Sequence, residues 1–180
     1  MANEERKDFN AMLHDSKDFP KLQIVTDEKT IARYGGDRMY FASPLDYDRV
    51  MKRVPSGKLT TVGAVREYFA RHNDADFTDP ITAGIFVSIA AWASHQRDHD
   101  ETPYWRTLKA KGERVPVALK LRTDRGGSRE ELNPKYPGGV EAQRAKLEAE
   151  GHRVVERGRK NLRYYVEGYE QALFDLEGEE

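Results

Sequence analysis

The sequence predicts a mainly α-helical fold with small β elements, and three observations carry that expectation. A capping residue followed by proline occurs at Ser43-Pro44 and again at Asp79-Pro80, each opening a stretch that can continue as a helix. Residues 80–94 are apolar nearly all round, as in a helix buried on most sides. The β-rich runs are short and separated by turn residues.

In chain order, residues 4–14 read as a short amphipathic helix with Phe9, Met12 and Leu13 on one side. Leu22–Val25 reads as a strand. Asp27 caps a short helix that ends at Tyr34 before Gly35-Gly36. Met39–Ala42 is a second strand. The helix from Ser43-Pro44 runs to about Arg53 and stops before Pro55-Ser56-Gly57. Thr60 or Thr61 caps a helix through His72 with Val62, Val65, Tyr68 and Phe69 inward, and Asn73–Thr78 is a polar loop. The Asp79-Pro80 helix runs to about Ser94. Two consecutive helices, the second more buried, are compatible with a helix-turn-helix. Asp98–Thr102 is a charged linker, and Gly126-Gly127-Ser128 a turn. A helix from Val140 to Glu150 closes at Gly151, a left-handed cap position. Val154-Val155 and Tyr164–Val166 form a hairpin turning at Gly158, and Tyr169–Leu176 ends the chain as a short helix.

The 180 residues suit one domain or a small core with an extension, and 10% aromatic residues argue against disorder. No run approaches the ~20 apolar residues of a membrane span. The first residues lack the apolar core of a signal peptide, so the cytoplasm is the expected location. Zero cysteines exclude disulfides and thiolate metal sites.

The net charge of -1 hides a pattern. Residues 1–50 carry 8 basic and 10 acidic side chains, residues 51–135 carry 15 and 11, and residues 136–180 carry 7 and 10. The middle is basic, most densely at Arg114, Lys120, Arg122, Arg125 and Arg129; a second basic run spans Arg153–Arg163. Either run could meet phosphates or be a solvated surface.

His95 and His99 stand four apart near a helix end, but Gln96 occupies the place where a zinc protease motif carries glutamate. No metal, cofactor or catalytic residue is expected.

Four segments, in order, carry a family resemblance. They are Val54-Pro55-Ser56-Gly57-Lys58-Leu59-Thr60-Thr61-Val62-Gly63, the helix Pro80–Ala91, Pro103-Tyr104-Trp105-Arg106, and Gly139–Gln143 with Leu147–His152. Together they resemble the DNA-binding domain of the O-6-alkylguanine-DNA alkyltransferases. The resemblance implies a winged helix-turn-helix-like domain over residues 51–152, with a basic insertion at about 114–131. Residues 1–50 would be an N-terminal α/β extension and 153–180 a C-terminal hairpin and helix.

The departures shape the functional expectation. The nucleophilic cysteine of that family falls on Tyr104 and its base on Trp105. A phenol with pKa near ~10 and an indole that only donates cannot replace a thiolate and its base. The tyrosine that helps rotate the target nucleotide falls on Val62, and the intercalating arginine on Gly84. The chain is similar in logic to the cysteine-less alkyltransferase-like proteins, which bind alkylated DNA without repairing it.

The expectation is therefore a non-catalytic binder of double-stranded, alkylated or damaged DNA, working with repair or regulatory proteins and away from membranes. The expected DNA contacts are Thr60, Thr61, Thr82, Gly84, Ser88, Arg114, Lys120, Arg122 and Arg125. Tyr104, Trp105, Arg106 and Glu150 are candidates for a base pocket. Tyr104 and Trp105 either stack on a base or fill the vacated active site. Arg106 reads as a hydrogen-bond hub and Glu150 as helix-terminal scaffolding. The alternative is a regulatory or protein-interaction module that has kept the fold and lost DNA.

Overall fold

The computed structural model describes residues 6–110, 130–160 and 162–178. Helix α1 (Phe9–His14) is capped by Asp8. Strand β1 (Lys21–Ile24), helix α2 (Glu28–Tyr34) and strand β2 (Arg38–Phe41) follow. Asp27 caps α2, and Gly35 ends it in the left-handed region at φ +80°, where a side chain would be strained. Helix α3 (Pro44–Lys52) starts with a reciprocal box in which Ser43 and Asp46 accept each other's backbone N–H. Strand β3 (Thr60–Thr61) leads into α4 (Val62–His72), whose first turn Thr61 caps. Strand β4 (Phe77–Thr78) precedes α5 (Pro80–Gln96), capped by Asp79.

A 3-10 turn, Tyr104–Arg106, opens strand β5 (Thr107–Ala110). Beyond it come β6 (Glu130–Glu131), α6 (Gly139–Ala149), β7 (Val154–Arg157) and β8 (Arg163–Val166). A second 3-10 turn spans Tyr169–Ala172.

The strands form two sheets. One has the order β1-β2-β4, with β1–β2 antiparallel and β2–β4 parallel. The other has the order β3-β5-β6-β8-β7, parallel between β3 and β5 and antiparallel from there on. Register places Lys109, Glu131, Tyr165 and Val155 in one row across β5, β6, β8 and β7. Ala110 and Glu130 therefore lie towards one end of that sheet, and the β7–β8 turn at the opposite end.

One buried cluster runs from Phe9 and Leu13 through Tyr47, Met51, Val65, Phe86 and Trp92 to Leu147 and Leu176. Residues 6–50 contribute to that shared core. Phe9 stacks on Trp92 with ring centroids 5.6 Å apart, its N–H reaches the Gln96 side chain, and the Asn10 amide donates to the Ala93 carbonyl. The first sheet takes its third strand from residues 77–78, which tie back to α4 where Arg66 Nε donates to Thr78 O and Thr78 Oγ1 donates to Arg66 O.

Several expectations change. Phe77–Thr78 is a strand rather than loop, because its partner β2 is distant in sequence. β5 and β6 carry no alternation to announce them. Met12 is exposed while Phe9 and Leu13 are buried, since six residues of helix bury only one narrow side. The closing helix stops at Ala172: Leu59 N–H takes the Ala172 carbonyl and Leu59 O accepts from Phe174, so Leu173 pairs as a bridge. The helix α5 is not covered all round. Ile81 is 72% and Ile85 51% exposed.

Candidate functional site

The 3-10 turn is fixed from behind before its side chains are placed. Thr102, fully buried, takes Ser94 Oγ on its N–H at 2.8 Å and donates its hydroxyl to Asp48. Asp48 is buried on α3, with Lys52 at 3.1 Å and Arg97 at 3.6 Å. This network joins α3, α5 and the turn, so Pro103 enters at a defined angle. Tyr104 N–H then bonds Thr102 O and Arg106 N–H bonds Pro103 O.

The turn delivers Trp105 and Arg106 to Glu150, the residue that ends α6. Trp105 Nε1 donates to Glu150 Oε1 at 3.0 Å, and Arg106 Nε sits 2.9 and 3.0 Å from the two carboxylate oxygens. Gly57 N–H approaches Oε2 at 3.4 Å. Arg106 also reaches Val54 O at 2.8 Å. Deeper in, the Gln143 amide donates to Trp105 O and accepts from Asn133 N–H, while Tyr136 donates its hydroxyl to Thr107 O. Lys146 Nζ stands 4.5 Å over the Trp105 ring, a cation–π approach.

The electrostatics follow from that packing. Burial by itself would raise the Glu150 carboxyl, but hydrogen bonds from Arg106 and Trp105 outweigh it and hold the group below the usual carboxylate range. Burial, helped by Glu101, raises the Tyr104 phenol. The site thus has a committed carboxylate, a protonated phenol and an indole that only donates.

The four residues expected to form a base pocket lie in one packed cluster. Tyr104 is 5% and Trp105 6% exposed. Tyr104 makes edge contacts with Trp105 and Tyr136 at centroid distances of 5.4 and 5.3 Å.

The expected DNA contacts fare differently. Thr60 and Thr61 are both buried, and the Thr61 hydroxyl oxygen accepts from Ala64 N–H at the start of α4. Thr82 is half-buried, Gly84 is exposed and Ser88 is half-buried on α5. Together with Ile81 and Ile85, Gly84 and Ser88 form a stripe at helical spacing that carries no charge. Arg114, Lys120, Arg122 and Arg125 lie outside the described residues. His95 packs edge-on against Trp92, and His99 bonds its neighbour Asp98. Among the described residues no group of three such side chains is placed to hold a metal, and no helix is long and apolar enough to cross a membrane.

No family model and no curated protein matches the chain. Among solved structures it is similar to S. pombe Atl1, in a crystal structure of that protein in complex with damaged DNA containing O6-carboxymethylguanine. The identity is 14%, the match covers 73% of this chain and 94% of that chain, and the TM-score is 0.38.

Sequence reasoning missed Asn133, Tyr136 and Gln143 as members of the cluster. Their signal was weak: polar residues between prolines and on a helix, with nothing local to say they face inward. Their burial comes from the sheet and from the partner atoms Trp105 O and Thr107 O.

Proposed function

We propose that this chain is a non-catalytic, alkyltransferase-like DNA-binding protein that engages duplex DNA without changing it covalently. One observation carries the reading. Three of the separated segments that resemble the alkyltransferase domain meet in one hydrogen-bonded cluster: Val54 and Gly57 from the first, Trp105 and Arg106 from the third, Gln143 and Glu150 from the fourth. Four resembling segments could arise by chance; the meeting of three of them around the Glu150 carboxylate is what a shared architecture would produce. The remaining segment is α5, which packs directly behind the turn through Ser94 and Thr102.

The ligand in this reading is the duplex, not an extruded base. Extrusion costs a few kcal/mol and needs both a side chain to fill the gap and a pocket to receive the nucleotide. Gly84 supplies no such side chain, and Tyr104 and Trp105 are buried against each other and Tyr136. Titrating the purified protein against matched duplexes with and without an O6-alkylguanine tests this directly. Equal, salt-sensitive affinity is expected. Absence of binding to both at ~50 mM salt, where phosphate contacts are little screened, would overturn the reading.

A second reading is favoured by the uncharged stripe Ile81–Gly84–Ile85–Ser88. Apolar side chains on an exposed helix face suit a protein partner better than a polyanion, which fits a regulatory or protein-interaction module. Ile81→Arg separates the two. If α5 lies against DNA, the added cation tightens duplex binding; if the module has lost DNA, neither wild type nor the variant binds duplex.

A further inference from the structure

We infer that the open end of the β7–β8 hairpin is a phosphate-binding wing, with Arg157, Arg159 and Lys160 as its contacts. This deepens the duplex-binding reading and rests on it. The sequence from Arg157 to Arg163 holds four cations and no carboxylate. Register sets Arg157 directly opposite Arg163, and like charges so placed repel.

The acids flanking the hairpin neutralise Arg163 and leave the other three cations unpaired among the described residues. Glu131 is taken by Arg163 at 2.8 Å, Glu156 by Arg144 at 3.2 Å and Glu167 by Arg153 at 3.3 Å. Each neighbouring carboxylate already has its own arginine. Arg157, Arg159 and Lys160 are exposed and have no ion pair among the described residues. A compact cluster of unneutralised cations raises the folding cost of its own hairpin, and an external anion removes that cost.

The shape favours a nucleic-acid duplex over other polyanions. A two-stranded ribbon, with strands about 4.8 Å apart, fits a major groove ~12 Å wide and can meet phosphates on both of its walls. An anionic bilayer would need apolar anchorage as well. Leu162, 58% exposed, is the large apolar side chain at this end, and the transfer of one leucine supplies too little for stable insertion. The apolar face of α5 has no such cations and lies on a different element. The wing therefore assigns the electrostatic part of binding to a place other than the helix that the family resemblance would nominate.

The test compares two double variants of equal charge change, Arg159→Gln/Lys160→Gln in the wing and Lys17→Gln/Lys29→Gln elsewhere, by fluorescence anisotropy with one labelled duplex over a series of salt concentrations. Thermal melts verify folding; the wing pair lies in a turn outside the buried core. Each lost phosphate contact lowers the slope of log affinity against log salt by about 0.9, so the wing variant should lose about 1.8 and bind several-fold more weakly at low salt. The control pair should match wild type. If wild type binds and the wing variant keeps its slope, the inference fails while the duplex reading stands. If wild type binds no duplex, both fail. If wild type binds phosphatidylserine vesicles in preference to duplex, the wing is a membrane contact and the inference is overturned.

Discussion

Glu150 gathers an arginine, an indole and a backbone amide, and its side chain is only 11% exposed. Because its folded pKa lies below the unfolded value of ~4.3, the linked stability is fully present above that value and drains as pH falls through the folded pKa. Glu150→Gln should cost about 2 kcal/mol at neutral pH and flatten the acid limb of the stability curve, read by urea denaturation at several pH values. An unchanged acid limb would assign no linkage to Glu150. Tyr104 offers a chemical check. Tyr104→Cys places a thiol among buried rings with no base in reach, so it stays protonated. Intact mass should show no added alkyl group after incubation with an alkylguanine duplex.

At the scale of elements, α5 combines a heavily buried C-terminal half with an exposed N-terminal stripe. Gly84 sits in that stripe, and a methyl group added there meets nothing within 4 Å. Helix-interior glycine costs roughly 0.5–1 kcal/mol relative to alanine. Gly84→Ala should therefore raise the unfolding free energy by that amount, read as a higher urea midpoint at unchanged slope. The helices were legible because their ends are written locally: Asp27, Ser43, Thr61 and Asp79 all cap as their chemistry dictates. The two-residue strands were not, since Thr60–Thr61, Phe77–Thr78 and Glu130–Glu131 become strands only through distant partners. The same limit hid the candidate site. The residue types at Tyr104 and Trp105 announced lost chemistry and left open whether the rings stack on a base or pack inward; their burial against Tyr136 depends on residues distant in sequence. The burial of Thr60 depends on its pairing with Thr107, which no local pattern encodes.

For the whole molecule, the shared core predicts how much the first fifty residues matter. Phe9 is buried against Trp92. Phe9→Ala should cost about 3 kcal/mol and shift Trp92 fluorescence to the red as water reaches the indole. A fragment beginning at residue 51 should fail to give a cooperative melt, since it loses Leu13, Tyr47 and Val50 together with both long strands of the first sheet. Cooperative unfolding of that fragment would instead show that residues 51–180 form an independent unit.

The strap formed by the last described residues has a consequence for biosynthesis. Leu59 is bracketed by Ala172 and Phe174, and Arg53 donates to the Leu176 carbonyl across 123 residues of sequence. On a ribosome, Leu59 and Arg53 emerge early but cannot acquire these contacts until residues 172–176 have also left the exit tunnel. Until then the core lacks Leu176, and the nascent chain keeps apolar side chains open to holding chaperones.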